Sequence, residues 1–116
     1  KDALTLFDEI IKSRDPNDES EREIVAWAYL GRGNCIMNLP KKGDEKEEFR
    51  KALYDMLRVV YHYSNIGAPQ AEAMFWAGKC FQHIGGKDAN KKWMRLFRDV
   101  QRQWPKSPWA QDAAKE

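Results

Sequence analysis

A pattern of apolar residues with helical spacing occurs twice in this sequence, at nearly the same interval. In one set of segments, Gly33 and Gly78 are equivalent and lie 45 residues apart. In the other set, Met56 and Phe97 are equivalent and lie 41 residues apart. The further equivalent positions are Ala28 with Ala73, Cys35 with Cys80, Ala3 with Ala52 and Trp93, Phe7 with Met56, and Ile10 with Val59 and Val100. Such self-similarity predicts stacked helical units, with the insertions in their connections.

Proline and capping residues divide the chain into helical segments. Pro16 ends the first segment, because proline lacks the amide hydrogen that a helix interior requires. Ser20 and Glu23 have the spacing of a capping box and predict the start of the second helix. Ser107 followed by Pro108 predicts the start of the last helix. No stretch alternates like a strand between hairpin turns, so we predict an all-α fold of about five to six helices.

Glycines lie inside two of the predicted helices. Gly31 and Gly33 belong to the second helix, and Gly78 belongs to the fourth. A glycine in a helix interior costs about 1 kcal/mol relative to alanine, so close packing must offset that cost. Because Gly33 and Gly78 occupy equivalent positions, we expect a neighbouring helix to approach closely at both.

Three short motifs resemble the tetratricopeptide repeat family. They are Trp27-x-x-Leu30-Gly31, Ala77-Gly78-x-x-Phe81 and Trp104-Pro105. The resemblance implies a right-handed α-solenoid of antiparallel helix pairs, within a single domain that spans residues 1–116. It divides the domain into the second helix of a preceding repeat (1–16), two repeats (20–64 and 69–105) and the start of a further helix (107–116).

The division into repeats implies that both ends expose faces that a neighbouring repeat would cover. We therefore expect the chain to be part of a longer repeat protein. The stretch 97–110, with Trp-Pro-x-Ser followed by alanine, is similar to repeats in bacterial cell-envelope proteins. These include the outer-membrane assembly lipoprotein and the Tol-Pal coordinating protein. That resemblance implies a bacterial periplasm or cell-envelope location.

Composition and missing motifs argue against several classes of protein. A hydrophobic content of 42% allows a buried core, which excludes wholesale disorder. No run approaches the roughly 20 apolar residues that a membrane span needs. The sequence contains no glycine-rich phosphate loop after a strand, no Gly-x-Ser-x-Gly and no His-Glu-x-x-His. We therefore predict a binding protein without catalytic residues, cofactor or metal.

The two cysteines allow three interpretations. Cys80 and His83, together with Cys35 one repeat earlier, would give three soft metal ligands on adjacent helices. Zinc needs four ligands, or three and a water, and structural sites usually contain closely paired cysteines. A disulfide requires Cα atoms within about 7 Å, which equivalent points on successive repeats reach only with distortion. Cysteine also packs as a small apolar residue, and this third interpretation is the one we favour.

The family resemblance also implies where a ligand binds. In that family the first helix of each pair lines a concave groove, and the equivalent residues here are Trp27, Asn34, Asn38, Phe75, Lys79, Gln82 and His83. Asn34 and Lys79 stand at positions that clamp a terminal carboxylate in chaperone-binding members. Leu30 and Phe75 replace the lysines of that clamp, which counts against it. The predicted function is protein or peptide binding in this groove, with the packing of Trp27 and Phe75 between helices as the alternative.

A stripe of basic residues marks a second candidate surface. Lys91, Arg95, Arg98 and Arg102 recur at spacings of four, three and four residues, which place them on one helix face. Residues 1–30 contain 4 basic and 8 acidic residues, whereas residues 79–116 contain 9 basic and 4 acidic ones. A solvated helix face is the ordinary explanation of such a stripe. The alternatives are a structural spacer that self-associates through its repeat ends and, ranked last, binding of an acidic or nucleic-acid partner.

Overall fold

Six α-helices contain most of the residues that the structure describes. This computed structural model describes residues 3–15, 17–38, 45–63 and 67–115. The helices are α1 (Ala3–Ser13), α2 (Glu19–Asn38), α3 (Glu45–His62), α4 (Gly67–Ile84), α5 (Ala89–Gln103) and α6 (Pro108–Ala114). Within these ranges the chain forms no strand, which confirms the prediction of an all-α fold. Pro16, which is predicted to end the first helix, lies outside the described residues.

The starts of α2 and α6 illustrate two kinds of capping. The predicted cap at Ser20 is wrong, because α2 begins at Glu19 and Asp18 caps it. The Asp18 carboxylate accepts hydrogen bonds from the Ser20 hydroxyl at 2.7 Å and from the Ser20 backbone N–H at 3.0 Å. These two bonds lower the pKa of Asp18. The predicted cap at Ser107 is confirmed, because its hydroxyl oxygen accepts a hydrogen bond from the Ala110 N–H at 3.1 Å.

Consecutive helices are antiparallel, as the order of their contacts indicates. Arg22 near the start of α2 donates to the His62 carbonyl at the end of α3, at 2.8 Å. Farther along α2, Arg32 bonds Asp55, which lies earlier in α3. In the α4 and α5 pair, the Lys92 ammonium near the start of α5 lies 5.4 Å from the ring centre of Phe81, near the end of α4.

The helices form two layers that differ in their internal contacts. In the first, which we call the even layer, α2 contacts α4 and α4 contacts α6. In the second, the odd layer, no Cα atoms of the described parts of α1, α3 and α5 lie within 8 Å of one another. Each odd helix instead packs against the even helices that precede or follow it in sequence. Helices α2 and α4 run parallel, because Asn34 contacts Glu72 and Met37 contacts Cys80.

Glycine provides the space for the closest helix contacts. A Cβ at Gly78 of α4 would overlap the ring of Phe97 in α5. A Cβ at the equivalent Gly33 of α2 would lie 2.7 Å from the Met56 methyl group in α3. The same kind of contact therefore recurs in both helix pairs, at positions that the sequence aligns. Gly31 adds a third such contact, because a Cβ there would overlap the ring of Phe7 in α1.

A cluster of aromatic rings joins α4, α5 and α6. Phe75 is 7% exposed, and its ring stacks on Phe97 with the ring centres 5.4 Å apart. Trp109 of α6 lies 5.6 Å from Phe75 and 5.8 Å from Trp76, measured between ring centres. Burial of such large side chains is a main source of stability, so this cluster fixes the position of the short α6.

A buried ion pair joins the first three helices. Asp55 of α3 is 5% exposed and accepts two hydrogen bonds from Arg32 of α2, at 2.9 Å from Nε and 2.8 Å from Nη2. The remaining Arg32 nitrogen, Nη1, donates to Asp8 of α1 at 2.9 Å. The Arg32 guanidinium carbon also lies 5.3 Å from the ring centre of Tyr29. One guanidinium therefore satisfies a buried carboxylate and fixes α1 and α3 relative to α2.

We predict that Gly78→Ala destabilises the fold although alanine favours helix. The added methyl group would displace the Phe97 ring, and overpacking of this kind outweighs the gain in helix propensity by about 1–2 kcal/mol. Gly33→Ala should cost less, because its nearest neighbour is the flexible end of Met56. It should still destabilise the fold, since the added Cβ would also lie 3.3 Å from the Ala52 backbone oxygen. Urea unfolding of both variants measures the difference. A Gly78→Ala protein as stable as the parent would contradict the close packing described here.

We also predict that Asp55→Ala lowers the free energy of unfolding by about 3 kcal/mol, because it leaves the Arg32 charge partly buried without its main partner. Asp8→Ala is the matched control, since the Asp8 side chain is 40% exposed. It should cost less than about 1 kcal/mol. Urea unfolding measures both, and equal losses for the two variants would argue against the assigned role of Asp55.

Candidate functional site

The predicted groove residues divide into several groups in the structure. On α2, Trp27 is 40% exposed, Asn34 is half-buried and Asn38 is exposed. The Asn38 side-chain amide donates to the Asn34 carbonyl at 2.8 Å. Spacings of seven and four residues place the three side chains on one side of α2. They form the α2 part of what we call the even-layer surface.

Polar contacts connect this side of α2 to α4. The Asn34 side-chain amide donates to the Glu72 carboxylate at 3.3 Å, and the Trp76 indole N–H donates to the same oxygen at 3.2 Å. Burial raises the pKa of Glu72, and the two hydrogen bonds partly oppose that effect. Glu72, Trp76 and Lys79 are spaced four and three residues apart and share one side of α4. These three residues complete the even-layer surface.

The structure corrects the expectation that Phe75 lines an open groove. Its ring is buried in the aromatic cluster against Phe97 and Trp109, because α6 packs over this side of α4. The alternative of packing between helices therefore holds for Phe75, although not for the partly exposed Trp27. Lys79 lies beside the cluster, with its ammonium 6.0 Å from the Phe75 ring centre.

The last two predicted groove residues lie near the end of α4. The His83 ring stacks on Phe49 of α3, with ring centres 4.2 Å apart and an angle of 2° between the planes. His83 therefore contacts the odd layer, whereas Asn34 and Glu72 connect the two even helices. Gln82 is half-buried. The seven predicted residues consequently do not form one continuous lining.

Both cysteines are free thiols. Cys80 is fully buried, with its sulfur 3.8 Å from that of Met37, and burial raises its pKa to about 12. Cys35 is half-buried. The burial of Cys80 agrees with its interpretation as a packing residue. Among the described residues, no three His, Cys, Asp or Glu side chains are placed to hold a metal ion.

The basic stripe lies on the exposed side of α5. Its four members, Lys91, Arg95, Arg98 and Arg102, are all exposed. Arg102 pairs with Asp99 at 3.0 Å, and Lys91 lies 3.9 Å from Asp88. In the described part of the chain, Arg95 and Arg98 form no ion pair. Their charges are therefore compensated by solvent rather than by neighbouring carboxylates.

A groove that sequence reasoning missed lies between the odd helices α3 and α5. It has a volume of about 440 Å³, and we call it the α3–α5 groove. It is lined by Leu57 and Tyr61 of α3, Phe81 of α4, and Asp88, Lys91, Lys92, Arg95, Leu96 and Asp99, which lie in or just before α5. It exists because α3 and α5 both pack on α4 while no Cα atoms of the two helices lie within 8 Å of each other. No local sequence signal marks it, because its width depends on the spacing of two helices that belong to different pairs.

Large apolar side chains are exposed on α1 and α2. Leu6 is 49% exposed and Ile24 is 41% exposed, close to the 40% of Trp27. By the 45-residue offset, Ile24 and Trp27 are equivalent to Pro69, which is buried, and Glu72, which contacts α2. In α4, the equivalent side packs against the preceding even helix, α2. In α2, the side that carries Ile24 and Trp27 is therefore the one on which a preceding even helix would pack.

Comparison with known proteins does not identify a relative: no family model, curated protein or solved structure matches the chain significantly. None of the described helices combines the length and the apolar character that crossing a membrane requires. Functional inference therefore depends on the surfaces described above.

We predict that Glu72→Gln stabilises the fold at neutral pH. Burial raises the pKa of the Glu72 carboxyl group in the folded state. Protonation of this group therefore stabilises the folded state at pH values below its ordinary pKa, and that stabilisation is lost as the pH rises through the folded-state pKa. Glutamine keeps an oxygen acceptor for Trp76 and carries no charge. The difference in unfolding free energy between variant and parent should therefore grow from acidic to neutral pH.

Chemical denaturation across that pH range measures the difference between the Glu72→Gln variant and the parent. Glu23→Gln, at an exposed position of α2, controls for the loss of one negative charge. A Glu72→Gln variant that is less stable than the parent at neutral pH would overturn this prediction.

Proposed function

We propose that this chain is a non-enzymatic module for binding proteins or peptides, built like a tetratricopeptide repeat array. The recurring glycine contact supports this architecture most directly. Gly33 with Met56 and Gly78 with Phe97 relate the two helix pairs as equivalent units. The even helices approach one another closely, whereas no Cα atoms of the described odd helices lie within 8 Å of one another, as in an array whose first helices form one continuous layer.

The even-layer surface is the proposed binding surface. It offers an indole at Trp27, amides at Asn34 and Asn38, and an ammonium group at Lys79. Amides and an ammonium group can satisfy the backbone of an extended peptide, and a partly exposed tryptophan can bury a large apolar area.

The chemistry of this surface also restricts the ligand. The Glu72 carboxylate accepts from Asn34 at 3.3 Å, so a ligand carboxylate at Asn34 would face a like charge. Leu30, which stands at one of the lysine positions of the clamp, is 2% exposed. These contacts favour recognition of internal peptide segments over recognition of a terminal carboxylate.

Selection from a displayed library of random peptides tests this function. Binding of the selected peptides is then measured for the parent and for Asn38→Ala and Lys79→Ala. Tyr54→Ala is the matched control, because Tyr54 is 68% exposed on the odd helix α3. We expect the even-layer variants to lose about tenfold in affinity and the control to lose none.

Failure to select any peptide, or equal losses in all three variants, would contradict peptide binding by this surface. Peptides that are insensitive to the even-layer variants but sensitive to Tyr61→Ala would instead assign binding to the α3–α5 groove.

Self-association is the second candidate, and the exposed side chains of Leu6, Ile24 and Trp27 favour it. The acidic residues of 1–30 and the basic residues of 79–116 would be complementary in a head-to-tail contact. Sedimentation of the parent and of Trp27→Ala at high concentration distinguishes the two functions. A parent protein that stays monomeric would exclude self-association through these side chains.

A further inference from the structure

The α3–α5 groove combines an apolar floor with two cations, Lys92 and Arg95, that form no ion pair with the described residues. Its floor contains Leu57, Phe81 and Leu96, one from each of three helices. Its volume of about 440 Å³ lies in the range of ligand pockets, roughly 300–1,000 Å³. No Cα atoms of the flanking helices α3 and α5 lie within 8 Å of each other, so the groove between them is open.

Two cations on the α5 side favour a negatively charged ligand in the groove. The Asp99 carboxylate pairs with Arg102 at 3.0 Å. The Asp88 carboxylate lies 3.9 Å from the Lys91 ammonium nitrogen. Lys92 and Arg95 form no ion pair with the described residues. Lys92 also lies over the floor, with its ammonium 5.4 Å from the ring centre of Phe81. A carboxylate placed beside Lys92 and Arg95 would therefore gain two favourable interactions.

Tyr61 provides an aromatic wall on the α3 side. It is 67% exposed, although it lines a groove whose floor is apolar. A large exposed aromatic side chain next to apolar pockets is a typical anchor for a partner, because its burial removes much apolar area from water. Apolar side chains of a ligand can enter the groove between Tyr61 and Leu96, while its acidic side chains face α5.

We propose that the α3–α5 groove binds an acidic amphipathic helix of a partner protein. The side chains of such a helix can fit between the ridges of α3 and α5, with Leu or Phe on the floor and Asp or Glu beside Lys92 and Arg95. This site lies on the odd-layer side of the molecule and is independent of the even-layer surface. Within the basic stripe, it assigns the binding role to Arg95 and not to Arg98 or Arg102.

The test uses a fluorescent synthetic helix of about 15 residues, a length that allows a marginal helix in water, with leucine on one face and glutamate on the other. A peptide with lysine in place of glutamate is the control ligand. We expect saturable binding of the glutamate peptide that weakens as salt increases, and at least about tenfold weaker binding of the lysine peptide.

Paired variants of the protein locate the bound peptide. Arg95→Glu and Tyr61→Ala should each weaken binding by about tenfold or more. Arg98→Glu, on the same helix but outside the groove, should change it less than about twofold. Circular dichroism verifies the fold of each variant, and Arg95→Gln replaces Arg95→Glu if the latter unfolds.

Three results would overturn this proposal. They are the absence of saturable binding, equal binding of the lysine peptide, and equal losses in the groove variants and the Arg98→Glu control. A loss confined to Asn38→Ala and Lys79→Ala would also overturn it, and would place the peptide on the even-layer surface instead.

Discussion

The close approach of α3 to Gly33 and of α5 to Gly78 determines the rest of this structure. A side chain at Gly78 would occupy the space of the Phe97 ring, so the distance between α4 and α5 depends on a missing Cβ. Once Phe97 lies there, it supports Phe75 by ring stacking, and Phe75 in turn contacts Trp109 of α6. The position of the last helix therefore depends, through two aromatic contacts, on one glycine.

The ion pair between Arg32 and Asp55 adds specificity to this packing. Apolar contacts alone tolerate small shifts along a helix, whereas a bidentate pair at 2.8 and 2.9 Å does not. Because Arg32 also bonds Asp8, it fixes the register of α1, α2 and α3 together. A buried ion pair is weak evidence for stability in itself, and its best-supported role is to select one arrangement.

Much of the fold could be predicted from the sequence, because the helix-breaking residues and the equivalent glycines are local signals. The lining of the groove could not be predicted, for a physical reason that α4 illustrates. This helix buries residues on nearly every side, including Gln70, Ala73 and Phe75, so its sequence has no single apolar face that points to the core. The role of Asp55 was detectable, since it lies on the same side of α3 as Ala52 and Val59, where a carboxylate requires a partner. The α3–α5 groove was not detectable from the sequence, because it depends on the distance between two helices that belong to different pairs.

Nuclear Overhauser effects at the two equivalent glycines test the central claim most directly. We expect contacts from the Gly78 Hα protons to the ring of Phe97, and from the Gly33 Hα protons to the methyl group of Met56. The Gly78 protons should also be shifted by the ring current of Phe97. Contacts at one glycine but not at the other would contradict the equivalence of the two helix pairs. The absence of both would mean that the helices pack in another register.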